Sequence, residues 1–364
     1  MVSMESTMST NHDSGIGRDT TVVECDRCPR KLTVYRRVLD KSIKWKFEGV
    51  SETKLLDLED AKHSMAEFLQ CRTKSVRFMI EQLSNDWAPL LLSVLKYATS
   101  NVNLGVQFGL YHPNIEHTVT DYSHVFRVAS RIRWRKAYLF WLTFDDHKYL
   151  VDLVSRSTSV KLFGVRTRDH TMVDFSGCDR VQTFQFVTSG NERVPDGGPM
   201  PYLPRNIRQL DLYMDLPCSD QDLSDWFTNV PKTLRNLNQL SFYVMIKTHE
   251  TPSVTHCDRA LTLFSQSLAR MIGAYLNNER TSSNNDTFAL RFQVDDAHAR
   301  HYRPPIFNLA ALVTQHTRSV SIKQETIKQR DSAHKTETLH VEFVNDQEGN
   351  KVQVQVCFKK ATSS

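Results

Sequence analysis

Cys25-Asp-Arg-Cys28 has the spacing of a zinc-binding pair, and Cys71 or His63 would complete a tetrahedral set. The strong form of that signal is a second close pair, which this sequence does not have. Cys25 and Cys28 are therefore weak metal candidates, and two unligated thiols near a polar tail are the plainer expectation. No βαβ pattern surrounds them, so a redox role has less support still. His112, His117 and His124 crowd one stretch, but no nucleophile with an ordered acid partner accompanies them. The twelve glycines form neither G-x-G-x-x-G nor G-x-x-x-x-G-K, so no phosphate-cradling loop is expected. No catalytic residue and no cofactor are assigned. Arg127, Arg131, Arg133, Arg135 and Lys136 form the densest basic cluster, with Phe126, Trp134 and Tyr138 nearby. Such a cluster suits phosphates or an acidic protein patch. Arg127 and Arg131 also lie one helical turn apart, the spacing of a solvated helix face.

Those residues sit in a chain of 364 residues with a formal net charge of +5 and an apolar fraction of 40%. That length exceeds one compact core, so two domains or one elongated array is expected. The mild positive charge permits an acidic partner without demanding nucleic acid. Residues 1–24 are polar and rich in Ser and Thr, too poor in apolar surface to fold, and are expected to be a disordered tail. The longest apolar stretch, Trp87 to Leu95, is too short to cross a membrane. A cytoplasmic or nuclear protein with free thiols is expected from the seven scattered cysteines.

Over 25–100 the pattern reads as helical. Leu55, Leu58, Met65 and Phe68 follow one helix face, Thr73 stands ahead of Val76, Met79, Ile80 and Leu83, and Trp87, Leu90, Leu91, Val94 and Leu95 make a third segment. These three helices predict a small helical module or the cap of an array. After residue 100, strand signals recur at 102–108, 136–143, 159–165, 181–187, 207–213 and 237–245. Their second apolar positions, 141, 162, 186, 212 and 242, step by 21, 24, 26 and 30 residues. Helical segments follow Asp146, Ser219 with Asp222, and Asp258. Gly- and Pro-rich 189–205 reads as a surface loop and polar 277–286 as a break. Phe288, Leu290, Phe292 and Val294 alternate as a strand. Two alternating runs, 337–345 and 351–358, predict a β-hairpin.

Ile207-Arg-Gln-Leu210-Asp-Leu212, Leu237-Asn-Gln-Leu240-Ser-Phe242 and Val181-Gln-Thr-Phe184-Gln-Phe186 resemble the L-x-x-L-x-L core of leucine-rich repeats, a resemblance covering 101–346. It implies an α/β solenoid, a curved parallel sheet with helices on its convex side. The family places an Asn or Cys a few residues after the core. Met214 and Asp215, or Met245 and Ile246, stand there instead, which implies an irregular array. Behind a helical module, such repeats resemble the substrate receptors of cullin-type ubiquitin ligases, in which a three-helix F-box precedes the repeats. Residues 50–100 match in size and helix count, without the Leu-Pro opening. The resemblance implies a noncatalytic receptor or adaptor subunit with protein partners. Residues 347–364 close the chain as the last strand of the hairpin and a tail.

In that unit the leucines face the core, and the residues between and just after them face the open side. One expected column is Leu142, Phe163, Val187, Tyr213 and Tyr243. Its neighbour is Phe140, Lys161, Gln185, Asp211 and Ser241. An aromatic column beside a polar one suits a protein interface.

Overall fold

Val76, Phe78 and Ile80 alternate with Ser75, Arg77 and Met79, and the first set is buried while the second is not. Leu104, Val106 and Phe108 repeat the pattern, as do Val160 with Leu162. Period-two burial of this kind is a strand with one face on a core. The structure, a computed structural model, describes residues 30–39, 42–49, 54–71, 73–81, 83–109, 117–118, 122–168, 173–187, 203–216, 233–234, 236–246, 254–277, 288–296, 308–317, 319–330 and 334–361.

The elements run β1 (Lys31–Leu39), β2 (Ser42–Glu48), β3 (Lys54–Leu56), α1 (Leu58–Gln70), β4 (Ser75–Ile80), α2 (Trp87–Tyr97), β5 (Asn103–Phe108), β6 (His117–Thr118), α3 (Ser123–Ala129), β7 (Trp134–Phe140), β8 (Leu142–Phe144) and α4 (Lys148–Ser155). There follow β9 (Ser157–Phe163), β10 (Arg166–Thr167), β11 (Thr183–Val187), β12 (Gln209–Leu216), β13 (Gln239–Ile246), α5 (Val254–Leu276), β14 (Phe288–Asp296), α6 (Leu309–Thr314), β15 (Val320–Arg330), β16 (His334–Asn345) and β17 (Lys351–Ala361). One 14-stranded sheet has the order β15-β16-β17-β14-β13-β12-β11-β9-β7-β5-β4-β1-β2-β3. From β1 through β14 to β17 every neighbouring pair is parallel, and the strands lie side by side in chain order.

The register carries one apolar row across the sheet. Val34 pairs with Phe78, then Val106, Ala137, Val160, Phe184, Leu210 and Leu240 follow strand by strand. All are buried. Helices cover this face: Phe68 of α1 meets Phe47, Trp87 of α2 meets Trp45 edge-on with ring centroids 4.6 Å apart, and Phe126 of α3 stacks on Phe108 at 4.6 Å. Each such side chain contributes about 1.5–3 kcal/mol on burial.

Two features correct the expectations. The N-terminal segment is not a helical module. Its expected middle helix is strand β4, and residues 31–48 form the hairpin of β1 and β2. Val76, Met79, Ile80 and Leu83 satisfy a helical period, but Val76, Phe78 and Ile80 satisfy a strand period equally. The flanking strands β1 and β5 decide between them. Leu142 is not on the open face: it is fully buried in β8, within a separate three-stranded sheet of order β10-β8-β6. Trp141 has φ 52°, and that left-handed residue turns the chain from one sheet to the other. The strain is held by packing. The Trp141 ring lies where a side chain on Gly164 (φ 58°) would stand, and Phe163 meets it edge-on at 5.2 Å. Separately from the position after the strand core, which Met214, Asp215, Met245 and Ile246 occupy, two asparagines are linked ahead of β12 and β13. Asn206 Nδ2 donates to the Asp179 carbonyl at 3.1 Å, and Asn236 Nδ2 donates to Asn206 Oδ1 at 3.3 Å.

Other expectations hold. Helix α4 follows Asp146, whose Oδ1 accepts the Lys148 N–H at 2.8 Å. Strand β14 occupies the expected segment, and helix α5 covers the expected pattern but starts at Val254, so Asp258 lies within it and does not precede it. The β16–β17 hairpin forms with Val344 opposite Lys351. Its turn grips α5, because Asn345 and Asn350 both donate to the Leu276 carbonyl. The tail 1–24, the segment after Ser219, nearly all of the Gly/Pro-rich segment 189–205 and most of 277–286 lie outside the described residues.

If this row is the core, Leu210→Ala should cost about 2–5 kcal/mol, read as a lower urea midpoint. Lys136→Ala, on the opposite face, should stay within about 0.5 kcal/mol of the parent chain.

Candidate interaction face

The residues that alternate with the buried row form the other face of the sheet. One row runs Tyr35, Met79, Gln107, Tyr138, Lys161, Gln185, Asp211 and Ser241, each opposite the next. A second runs Phe140, Phe163, Val187, Tyr213 and Tyr243. The expected columns are therefore right from β9 onward and slip by one pleat at β7. Tyr138 rather than Phe140 stands beside Lys161, and Phe140 rather than Leu142 stands beside Phe163. The apolar pair Leu139-x-Trp141 suggested two core positions, but Trp141 already belongs to the turn. The side chains of Val187, Tyr213 and Tyr243 lie outside the described residues.

Lys161 stands within the first row between Tyr138 and Gln185. Its ammonium stands over the Phe140 ring, 5.7 Å from the centroid, and Phe140 and Phe163 are 6.1 Å apart. Half-burial pushes the Lys161 pKa below its ordinary value, and Asp211 pulls it partly back. Gln209 Nε2 donates to Asp211 at 3.2 Å, which orients that carboxylate. Ser241, the shortest side chain of its row, is buried.

Toward β1 the face becomes more charged. Lys46 pairs with Glu48 and also lies 5.7 Å from the Tyr35 ring centroid. Burial first, and Glu48 second, raise the Tyr35 pKa, while Lys46 holds Glu48 low. Arg77 Nη2 donates to Gln107 Oε1 at 2.9 Å, crossing between neighbouring rows.

The basic cluster does not form one patch on one element. Arg127 lies on α3, Arg131 and Arg133 on the connection, and Arg135 and Lys136 on β7, all exposed. Arg135 Nη1 is committed to Asn103 Oδ1 at 2.9 Å, and Lys136 belongs to the open face beside Gly105 and Ser159. Cys25, Cys28 and His112 lie outside the described residues, as does the side chain of His117. His63 is exposed on α1, 3.3 Å from Glu67, and His124 is exposed on α3. Among the described residues no cluster of His, Cys, Asp or Glu is placed to hold a metal ion. Among the described residues no helix is long and apolar enough to cross a membrane.

Sequence reasoning missed two features. Asn206 and Asn236 open two near-identical runs, Arg205-Asn-Ile-Arg-Gln-Leu210 and Arg235-Asn-Leu-Asn-Gln-Leu240, so the link was legible as a repeat of Arg-Asn before the strand. Cys178 is free, as expected of the cysteines, but its burial was not read from the sequence. Burial, with Asp174, Asp179 and Asp152 around it, pushes its thiol up to about 12. No protein-family model matches this chain, and no curated protein matches its sequence.

Two measurements check these environments. Burial disfavours the Lys161 cation, so the unfolded chain binds that proton more tightly and stability from this site rises with pH up to the ordinary lysine range. Lys161→Met should therefore raise the melting temperature at pH 7, with the gain shrinking as pH climbs toward 10.5. Native Cys178 should resist iodoacetamide at pH 8 while the partly exposed Cys71 and Cys357 are alkylated, as read by peptide mass spectrometry.

Proposed function

We propose that this chain is a noncatalytic recognition subunit. Its repeats form a leucine-rich-repeat-like solenoid whose open sheet face holds an acidic segment of a protein partner. Chain-order stepping of the parallel strands supports the solenoid reading. Parallel crossovers are right-handed in roughly 98% of cases, so a chain that always steps the same way sets its crossovers on one face. The ring contacts of α1, α2 and α3 all fall on that face.

The observation that carries the reading is Lys161. A cation already partly stripped of water, lying on an aromatic ring and facing away from the helices, gains more from an incoming carboxylate than a fully hydrated one does. Phe163, edge-on to Trp141, supplies the rigid aromatic anchor beside it. An adaptor-docking role for 50–100, as in ubiquitin-ligase receptors, would need three successive helices. With Ser75–Ile80 inside the sheet, that stretch serves the array itself, and the role is not carried into the proposal. A reducing compartment, cytoplasm or nucleus, belongs to the same proposal, since Cys71, Cys178 and Cys357 are free thiols.

Acidic and neutral peptide arrays probed with the full chain test this. Acidic peptides should be retained, and Lys161→Glu should weaken them by about tenfold, equivalent to about 1.4 kcal/mol. Phe163→Ala should weaken them also, with the circular dichroism spectrum unchanged. Retention of the same peptides by both variants would remove the open face from consideration. Binding that instead follows Arg131, Arg133 and Arg135, and falls steeply with salt, would point to nucleic acid.

A further inference from the structure

The two edges of the large sheet are built differently. One edge is β3, three residues long. A strand that short offers an incoming chain almost nothing to pair with, a common way of guarding a sheet edge. The other edge is β15, eleven residues long and paired residue for residue with β16 from Val320 opposite Asn345 to Arg330 opposite Lys335. It has no bulge and no proline, and among the described residues its outer side is uncovered. Ile327, at 38% exposure, is one of the few large apolar side chains at the surface among the described residues.

We propose that β15 is a dimerisation edge, pairing antiparallel with β15 of a second copy of this chain to continue the sheet across a two-fold axis. An isologous pairing needs a self-complementary strand. β15 has that property in a register that pairs most of its length, residues 320–328. With Gln324 on the axis, Lys323 of each copy stands opposite Glu325 of the other, twice per dimer. Ile322 then faces Thr326, and Ser321 faces Ile327. Sliding the copies by one residue sets Lys323 against Thr326. By two residues it sets Glu325 against itself, and by three Lys323 against Lys328. Cross-strand pairs of opposite charge favour a register and like pairs disfavour it. Lys323 is 83% exposed, with its own-chain partner Glu342 at 3.9 Å, so its ammonium lies within reach of a second carboxylate. Head-to-tail pairing of β15 with β3 is poorly matched, because the two edges differ so much in length. The association therefore closes as a dimer instead of growing into fibres.

The full chain, examined by light scattering after gel filtration across low to about 100 µM concentrations, should shift from its monomer mass of 42.0 kDa toward twice that value. Lys323→Glu alone and Glu325→Lys alone should each raise the dissociation constant about tenfold, since each turns two attractive pairs into repulsive ones. The double exchange Lys323→Glu with Glu325→Lys should restore dimerisation, which a variant that merely misfolds would not do. Gln324→Cys should yield a disulfide-linked dimer under mild oxidation, beyond the background of the parent chain's own cysteines, because residues directly opposite in an antiparallel pair have bridgeable Cβ atoms. A chain that stays monomeric at 100 µM with no added crosslink overturns the proposal. So does a dimer that ignores the single and double exchanges alike.

Discussion

The structure depends on one register held across many parallel strands. Val34, Phe78, Val106, Ala137, Val160, Phe184, Leu210 and Leu240 stand in line only because each strand is docked without slippage on the last. Side chains alternate with a period of two, so a slip of one residue at any strand would carry that strand's apolar set to the opposite face. The helices lock this row by packing on its face, and the Asn206–Asn236 link lies just ahead of β12 and β13. Arg208 and Asn238 backbone N–H groups reach the preceding unit's Gln182 and Arg208 carbonyls, so each unit is pinned before its strand begins. Trp141 can be held in a left-handed conformation because strands on either side of it already fix where the chain must go.

The same constraint makes the two faces unequal. Stepping in one direction gathers the helices on one side, and the other side is left with glutamines, tyrosines, Lys161 and Asp211. Burial then acts with opposite sign on different chemistry. It lowers the pKa of Lys161, whose charged form is the acid, and raises that of Cys178, whose charged form is the base. Burial thus eases the loss of the Lys161 proton and keeps the Cys178 thiol protonated. The edges are unequal for a related reason. Each end of the parallel run is finished by antiparallel strands, and these leave a short β3 at one edge and a long β15 at the other.

Much of the architecture was legible along the chain. Strands β5, β7, β9, β11, β12 and β13, helix α4, most of helix α5 and the final hairpin follow from period-two and period-3.6 apolar spacing flanked by turn residues, whereas the second sheet of β6, β8 and β10 does not. The open-face rows from β9 onward follow from the same alternation. The errors lie where two periods coincide or where a turn hides. Val76-Arg-Phe78-Met-Ile80 fits both helix and strand, and Phe140-Trp-Leu142 reads as continuous strand because no glycine marks the bend.

Local spacing determined which residues want burial, since hydrophobicity and backbone period are properties of a short segment. Tertiary structure decided which period prevailed at Val76–Ile80, which face Leu142 joined, and that Lys161 would lie on Phe140 between Tyr138 and Gln185. Those outcomes depend on hydrogen-bonded neighbours twenty or more residues away, and no short stretch of chain encodes the strand beside which it will be laid.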